Sequence, residues 1–345
     1  MIDATPEGPS LLAPPYLYHP GPRGLTNRID AIPESGVAGS DYETLKQQLL
    51  DPYSIEMAVL SFNSGFEVAL PNVELSTECA RAANRWSAER WLSRDDRRLF
   101  GSILMPTQQP EAAAAEIRQW ADHPRMVEAL LVVNGLGLPF GHPAYHPIYQ
   151  AAAETGMPIG VHIGGDVNLQ GTWTHVSAGG ICTTRMERHV VQTQALWHYL
   201  LSLLVHGVFE KYPALHVVLK ETGVAWLPGL IAELDRIEPQ LRAESSWIRK
   251  RPSDYIRDHI RVTTHPIDDL GGRGRLTELL ESVGWMEEIL AFSSDYPHHD
   301  TDDPGFAARQ FPDEWLPRIF YDNAAALYGE KLTATREAEV VPSST

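Results

Sequence analysis

An alternation constrains this chain more than any other feature. Between residues 55 and 297, short apolar β-type runs take turns with helical patterns. The runs are IEMAVLSF (55–62), RRLFGSILMP (97–106), MVEALLVV (126–133), MPIGVHI (157–163), LHVVLKETG (215–223), IRVTTHP (260–266) and EILAFSSDYP (288–297). Several are apolar throughout rather than at every second residue, the pattern of strands covered on both faces in a parallel sheet. Helical patterns fall between them, over 76–92, 110–121, 146–155, 188–209, 225–242 and 276–283. PEAAAAEIRQWA (110–121) is the clearest, with proline at its start, alanines through it, and Ile117 and Trp120 spaced for one face.

Alternation of this kind predicts βα units. With a weak eighth strand in the opening MIDA, the 345 residues accommodate a (β/α)8 barrel, which needs about 250 residues plus insertions. A doubly wound sheet is the competitor, but it carries a glycine-rich phosphate turn after its first strand. GGRGR (271–275) lacks the GxGxxG order and reads as a loop. The expected architecture is therefore α/β, a single TIM-barrel domain over 1–330. Residues 1–53 form an irregular wrapping segment, 164–187 a long polar loop after the fifth strand, and 331–345 a flexible tail.

Composition narrows the partners. A formal charge of −17 argues against nucleic acid and anionic membrane surfaces, both of which need clustered Lys and Arg. Cys79 and Cys182 form neither a disulfide framework nor a metal-type pair, which points to a reducing, cytoplasmic setting. MIDATPEGPSLLAPPYL has no basic region followed by an apolar stretch, so no signal peptide is expected, and no run reaches the ~18 apolar residues of a membrane helix.

In barrels of this type chemistry sits at the carboxyl ends of the strands. Here those ends carry Asn134, His162, Lys220-Glu221, His265, and Asp295 with His298 just beyond. Imidazole nitrogens and carboxylates converging on one mouth suit a divalent metal that activates water. Each residue also has a structural reading: Asp295 as a turn residue, His162 as a buried histidine bonded to backbone, Glu221 as a helix cap, His265 as a loop histidine. Four strand ends in a row argue for one site.

The stretches around these residues resemble a known family. GVHIGG, GVFEKYPALHVVLKETGVAWLPGLIAELD, FSSDYPH, ARAANRWSAERWLSRDDRRLFGSILMPTQQPEAAAAEI and PFGHPAYHPIYQAAAETGMPI look like the amidohydrolase-related barrels of the aminocarboxymuconate-semialdehyde decarboxylase type. The resemblance covers most of residues 50–330. It implies a single (β/α)8 domain, often a homodimer, with a divalent metal: zinc first, manganese or iron otherwise. It also implies hydrolysis or decarboxylation of a small carboxylated or ring-containing substrate. Matched position by position, His162, Glu221 and Asp295 fall to the metal, with Asp295 also handling protons. His298 matches the histidine of SDYPH. Apart from the resemblance, the residues themselves suggest His265 for the acid–base set, and His175, Arg185, Trp173 and Asn134 for the substrate side: Arg185 and Arg188 to receive a substrate carboxylate, Trp173 and Tyr296 to stack on a ring.

The chain departs from the family where the first strand usually ends in His-x-His, which supplies two metal ligands. Here that sequence occurs nowhere, and the first histidine is His19. Arg85 also stands where many members carry aspartate. Four expectations follow: a rearranged metal site on a hydrolase or decarboxylase; a metal-free acid–base lyase, cyclase or isomerase; an iron site for oxygen chemistry; or a non-catalytic binding barrel.

Overall fold

The computed structural model describes residues 27–34, 36–62, 72–132, 135–163, 185–191, 193–272 and 274–337, with the backbone alone at 4–5, 8–9, 185, 188–189, 330 and 332–337. Its centre is a seven-stranded sheet in strictly sequential order. The strands are β1 (Ala58–Leu60), β2 (Leu99–Leu104), β3 (Met126–Leu131), β4 (Ile159–His162), β5 (Val217–Lys220), β6 (Ile260–Thr263) and β7 (Leu290–Ala291). Every neighbouring pair is parallel. They match the seven apolar runs in the sequence, each trimmed at its ends. All six residues of β2 and all six of β3 are buried, as strands covered on both faces must be.

The predicted helices lie between the strands. Among them are α1 (Val73–Ser87), α2 (Pro110–Trp120), α3 (His146–Thr155), α4 (Arg185–Val191), α5 (Thr193–Val205) and α6 (Leu227–Leu241). Asn72 caps α1 by accepting from the amide of Leu75. Pro110 opens α2 at a position whose amide hydrogen would have no partner within the helix, so proline costs nothing there. Further helices escaped the sequence pattern, among them α7 (Pro252–His259) and α8 (Asn323–Glu337). The chain is thus helical six residues beyond Lys331, through Glu337.

Of the opening MIDA, expected as an eighth strand, residues 1–3 lie outside the described residues, and Ala4 does not join this sheet. Ala4–Thr5 pairs antiparallel with Gly8–Pro9 instead. Pro9 in that pairing has no amide hydrogen to donate to a ladder. On the turn beyond β7 the chain meets Asn27–Arg28: Asn27 bridges His298 in antiparallel sense, and the Arg28 amide donates to the Pro297 carbonyl at 2.9 Å.

One charged network organises a face of the sheet. Glu128 of β3 is wholly buried and accepts from Ser102 of β2 (2.9 Å), Lys220 of β5 (2.6 Å) and Tyr328 of α8 (2.8 Å). The intervening β4 gives way at Gly160, where a Cβ would lie 2.5 Å from Glu128 Oε1. Side chains two apart on a strand share a face, so His162 lies on the same face as this network, beside its register partner Lys220.

Candidate active site

Because all seven strands run parallel, their carboxyl ends gather on one side. His162 is the last residue of β4. Its Nδ1 lies 2.5 Å from the Ile163 carbonyl oxygen, and its Nε2 lies 3.0 Å from Glu221 Oε2. With Nδ1 donating to the carbonyl, Nε2 faces the carboxylate.

Glu221 follows Lys220 and, in extended backbone, would face the opposite side. Instead it has φ +61°, and Asp295 likewise has φ +55°. The left-handed region costs a non-glycine residue about 1–2 kcal/mol, and such strain persists where surrounding bonds over-determine it. They do so here. Beyond Glu221, Asp268 Oδ2 accepts from the amides of Val224 (2.7 Å) and Ala225 (2.9 Å), while the Gly223 amide donates to the His265 carbonyl at 3.2 Å. Gly223 itself has φ +62°, and a Cβ there would meet Asp268 Oδ2 at 2.6 Å. Beyond Asp295, the amide of His298 returns to the Asp295 carbonyl at 2.9 Å.

The remaining imidazoles meet Asp295. His298 Nδ1 is 2.6 Å from Asp295 Oδ2, and the buried His265 presents Nε2 to the same oxygen at 3.3 Å. His298 Nδ1 is also 4.0 Å from Glu221 Oε1, and His265 Nδ1 is 2.9 Å from Asp302 Oδ2. Acids and imidazoles therefore alternate along one path: His162, Glu221, His298, Asp295, His265, Asp302.

Burial alone would lower these histidines. For His265 the hydrogen bonds and charges of Asp295 and Asp302 outweigh it, raising the imidazole to about 10. The same contest raises His298, through Asp295, and His162, through Glu221. Burial would raise Asp295, but its bonds to His265 and His298 hold it well below the usual carboxylate range.

Donor atoms of His162, Glu221 and Asp295 all lie within 4.8 Å of one another, and those of His265, Asp295 and Asp300 form a second such group. The 3.0 Å between His162 Nε2 and Glu221 Oε2 fits a shared divalent ion, since octahedral neighbours on bonds of about 2.1 Å stand about 3.0 Å apart. One imidazole and two carboxylates suit zinc, manganese or iron. The Nδ1 anchor of His162 on a backbone carbonyl is the outer contact a metal-binding histidine requires. The residues present fit such an ion.

Of the residues singled out in the sequence, His162, Glu221, His265, Asp295 and His298 are brought together. Asn134, Trp173 and His175 lie outside the described residues. Arg185 opens α4, with only its backbone described. Tyr296 turns away from the cluster, its hydroxyl donating to Gln48 Oε1 at 2.8 Å. β7 ends at Ala291, so Asp295 stands on the turn beyond it rather than on the strand. Sequence reading missed Asp302, one acid among several in HHDTDDPG and 37 residues from the histidine it touches.

The Amidohydrolase family model matches residues 22–329. The chain belongs to the amidohydrolase family. Among curated members, it is 26% identical over 303 residues to gamma-resorcylate decarboxylase of Rhodococcus jostii (strain RHA1), covering 84% of this chain and 88% of that one. Among solved amidohydrolase-type structures, 2,6-dihydroxybenzoate decarboxylase from Rhizobium superimposes with a TM-score of 0.66 at 21% identity, covering 84% of this chain and 89% of that one. Dihydroxybenzoic acid decarboxylase from Polaromonas sp. JS666, with bound manganese and 2-nitroresorcinol, gives 0.64 at 20% identity, covering 85% and 88%. At these identities the structures establish the fold of this family member. No helix among its described residues is long and apolar enough to cross a membrane.

Proposed function

We propose that this amidohydrolase-family chain is an enzyme that uses a divalent metal to decarboxylate a small aromatic carboxylate, with hydrolysis of a similar substrate as the neighbouring alternative. The observation that carries this reading is the convergence of His162, Glu221 and Asp295 at and just beyond the carboxyl ends of three strands. The activities of the gamma-resorcylate and dihydroxybenzoate decarboxylases, and the manganese in one of them, support the class of chemistry. In its finer form the reading has the sheet closing as an eight-position barrel, with the amino-terminal segment wrapping the gap beside β7. It also places the protein in the cytoplasm as a homodimer, consistent with two cysteines and with exposed apolar side chains such as Met186 and Val190 on α4.

A divalent ion held by His162, Glu221 and Asp295 would supply Lewis-acid polarisation of a substrate oxygen. The other roles fall to side chains. Loss of carbon dioxide breaks a ring carbon–carboxylate bond, and the electron pair left on carbon must take a proton. His298, whose imidazole is raised against burial by its 2.6 Å contact with Asp295, is the proton reserve, and Asp295 Oδ2 is the atom through which its proton would pass. In hydrolysis the same carboxylate would take the proton of the attacking water. His265 holds Asp295 in place from the other side. His175, Arg185, Trp173 and Asn134 are the proposed substrate-side residues.

The deciding experiment is elemental analysis of protein purified without chelator or added metal, in wild type and His162→Ala, with carbon dioxide release from 2,6-dihydroxybenzoate followed in parallel. About one equivalent of metal in the wild type, lost in the variant, is expected. No metal in either protein, even after reconstitution, would remove the reading. A second reading would then stand: a metal-free acid–base lyase, cyclase or isomerase. It is favoured by the unbroken alternation of acids and imidazoles from His162 to Asp302.

A further inference from the structure

Asp302 lies in the segment that leaves the mouth of the site, and its residue is 7% exposed. One oxygen, Oδ2, accepts from His265 Nδ1 at 2.9 Å and from the Ile267 amide at 2.8 Å. Its own amide donates to the Ser294 carbonyl at 3.0 Å, one residue before Asp295. A single residue therefore fastens the turn after β6 to the turn after β7. The His265 backbone is held as well, its amide 3.4 Å from Ser293 Oγ and its carbonyl accepting from Gly223. With the backbone fixed and Nδ1 engaged, the ring turns its other nitrogen, Nε2, to Asp295 Oδ2.

A plainer role for Asp302 would be a loop staple or a helix cap. The cap is already supplied by its neighbour: Asp303 Oδ1 accepts from the Phe306 amide at 2.7 Å, at the start of the helix Pro304–Ala308. The staple role is shown by Asp268, whose Oδ2 takes two backbone amides. Asp302 differs, because its same oxygen takes one amide and one imidazole nitrogen. A carboxylate that serves only the loop has no need to seat a histidine whose far nitrogen faces a second carboxylate.

We propose that Asp302 is a positioning residue of the site: through His265 it sets the orientation of the Asp295 carboxylate that faces His162 and Glu221. The proposal rests on the metal-site reading given above. It predicts that Asp302 governs metal affinity without touching the metal. Carboxylates that orient a site from behind its ligands typically contribute 10- to 100-fold in affinity.

The test is the Mn2+ dissociation constant of the chelator-treated full chain, read by electron paramagnetic resonance of free Mn2+, in wild type, Asp302→Ala and Asp302→Asn. Asp302→Ala is expected to weaken binding about 10- to 100-fold. Asp302→Asn, whose amide oxygen can accept from both donors, is expected to stay close to wild type. Equal affinity in Asp302→Ala and wild type would overturn the proposal. So would an Asp302→Asn variant as weak as Asp302→Ala, which would make charge rather than orientation the operative property. A wild type that binds no Mn2+ would remove the metal reading itself, and the proposal with it. Should Asp302→Ala not fold, the His265 ring of Zn2+-loaded wild type, read by two-bond 1H–15N correlation, decides. A proton on Nδ1 is expected, and a proton on Nε2 alone overturns the proposal.

Discussion

His265 shows how far a single side chain is set by its neighbours. Its imidazole lies between Asp295 and Asp302, and their bonds outweigh burial to raise it to about 10. A histidine held above its unfolded value of about 6.5 stabilises the fold fully below that pH and loses the contribution as pH climbs through the folded value. His162 and His298 are raised too and act in the same direction. His123, His146, His206, His216 and His259 are lowered, chiefly by desolvation, so their effect falls below about pH 6.5, outside this window. Lys331, lowered by burial to about 8, pushes the other way above that value. Comparison with His265→Gln isolates the contribution of interest. In chelator-treated protein the urea midpoint of wild type should fall more between about pH 7 and pH 10 than that of His265→Gln. Parallel curves would mean His265 gains no proton on folding.

At the scale of strands and helices, glycines separate positions where space decides from positions where it does not. Gly160 lets β4 pass beneath the Glu128 carboxylate, and a Cβ there would sit 2.5 Å from Oε1 and 2.6 Å from Cδ. Gly160→Ala should therefore destabilise by about 1–3 kcal/mol, the usual cost of overpacking. Gly229, exposed in the first turn of α6, has nothing within 4 Å of its added Cβ. Gly229→Ala should be neutral to stabilising by up to about 1 kcal/mol, through lower unfolded-state entropy and better helix propensity. Urea denaturation of both variants checks the pair. Equal effects would mean that the Glu128 carboxylate can move aside.

Across the whole molecule, the last helix is tied to the middle of the sheet. Tyr328 of α8 donates to Glu128 Oε2 across 200 residues of sequence, and Lys331 Nζ reaches the carbonyls of His123 and Met126 at the start of β3. The same Glu128 holds Lys220, the residue before Glu221, so the carboxyl-terminal helix and the approach to the site share one carboxylate. Breaking one contact of a buried charge leaves it short of a donor, which costs about 1–3 kcal/mol. Tyr328→Phe should lower stability by that amount, with the same urea assay as readout. A variant as stable as wild type would show that Ser102 and Lys220 alone satisfy Glu128.

Seven parallel strands were legible in the chain alone, because a strand covered on both faces is apolar along its length, as several of the runs are, and because the runs alternate with helical patterns. Most of the helices between them were legible too. The strand-to-loop boundaries near which His162, Glu221, His265, Asp295 and His298 lie were legible as well, because they can be read from where apolar runs stop. The helix α7 was not: its eight residues mix Tyr255 and Ile256 with Arg, Asp and His, too short a pattern to stand out. Nor was the antiparallel pairing of Ala4–Thr5 with Gly8–Pro9. Three features of the site came from the folded chain instead. Glu221 and Asp295 turn left-handed to face the cluster, Lys220 is held by Glu128, and Asp302 backs His265. These depend on contacts between residues 37 and 92 positions apart, and on backbone angles that no local pattern of apolar and polar residues encodes.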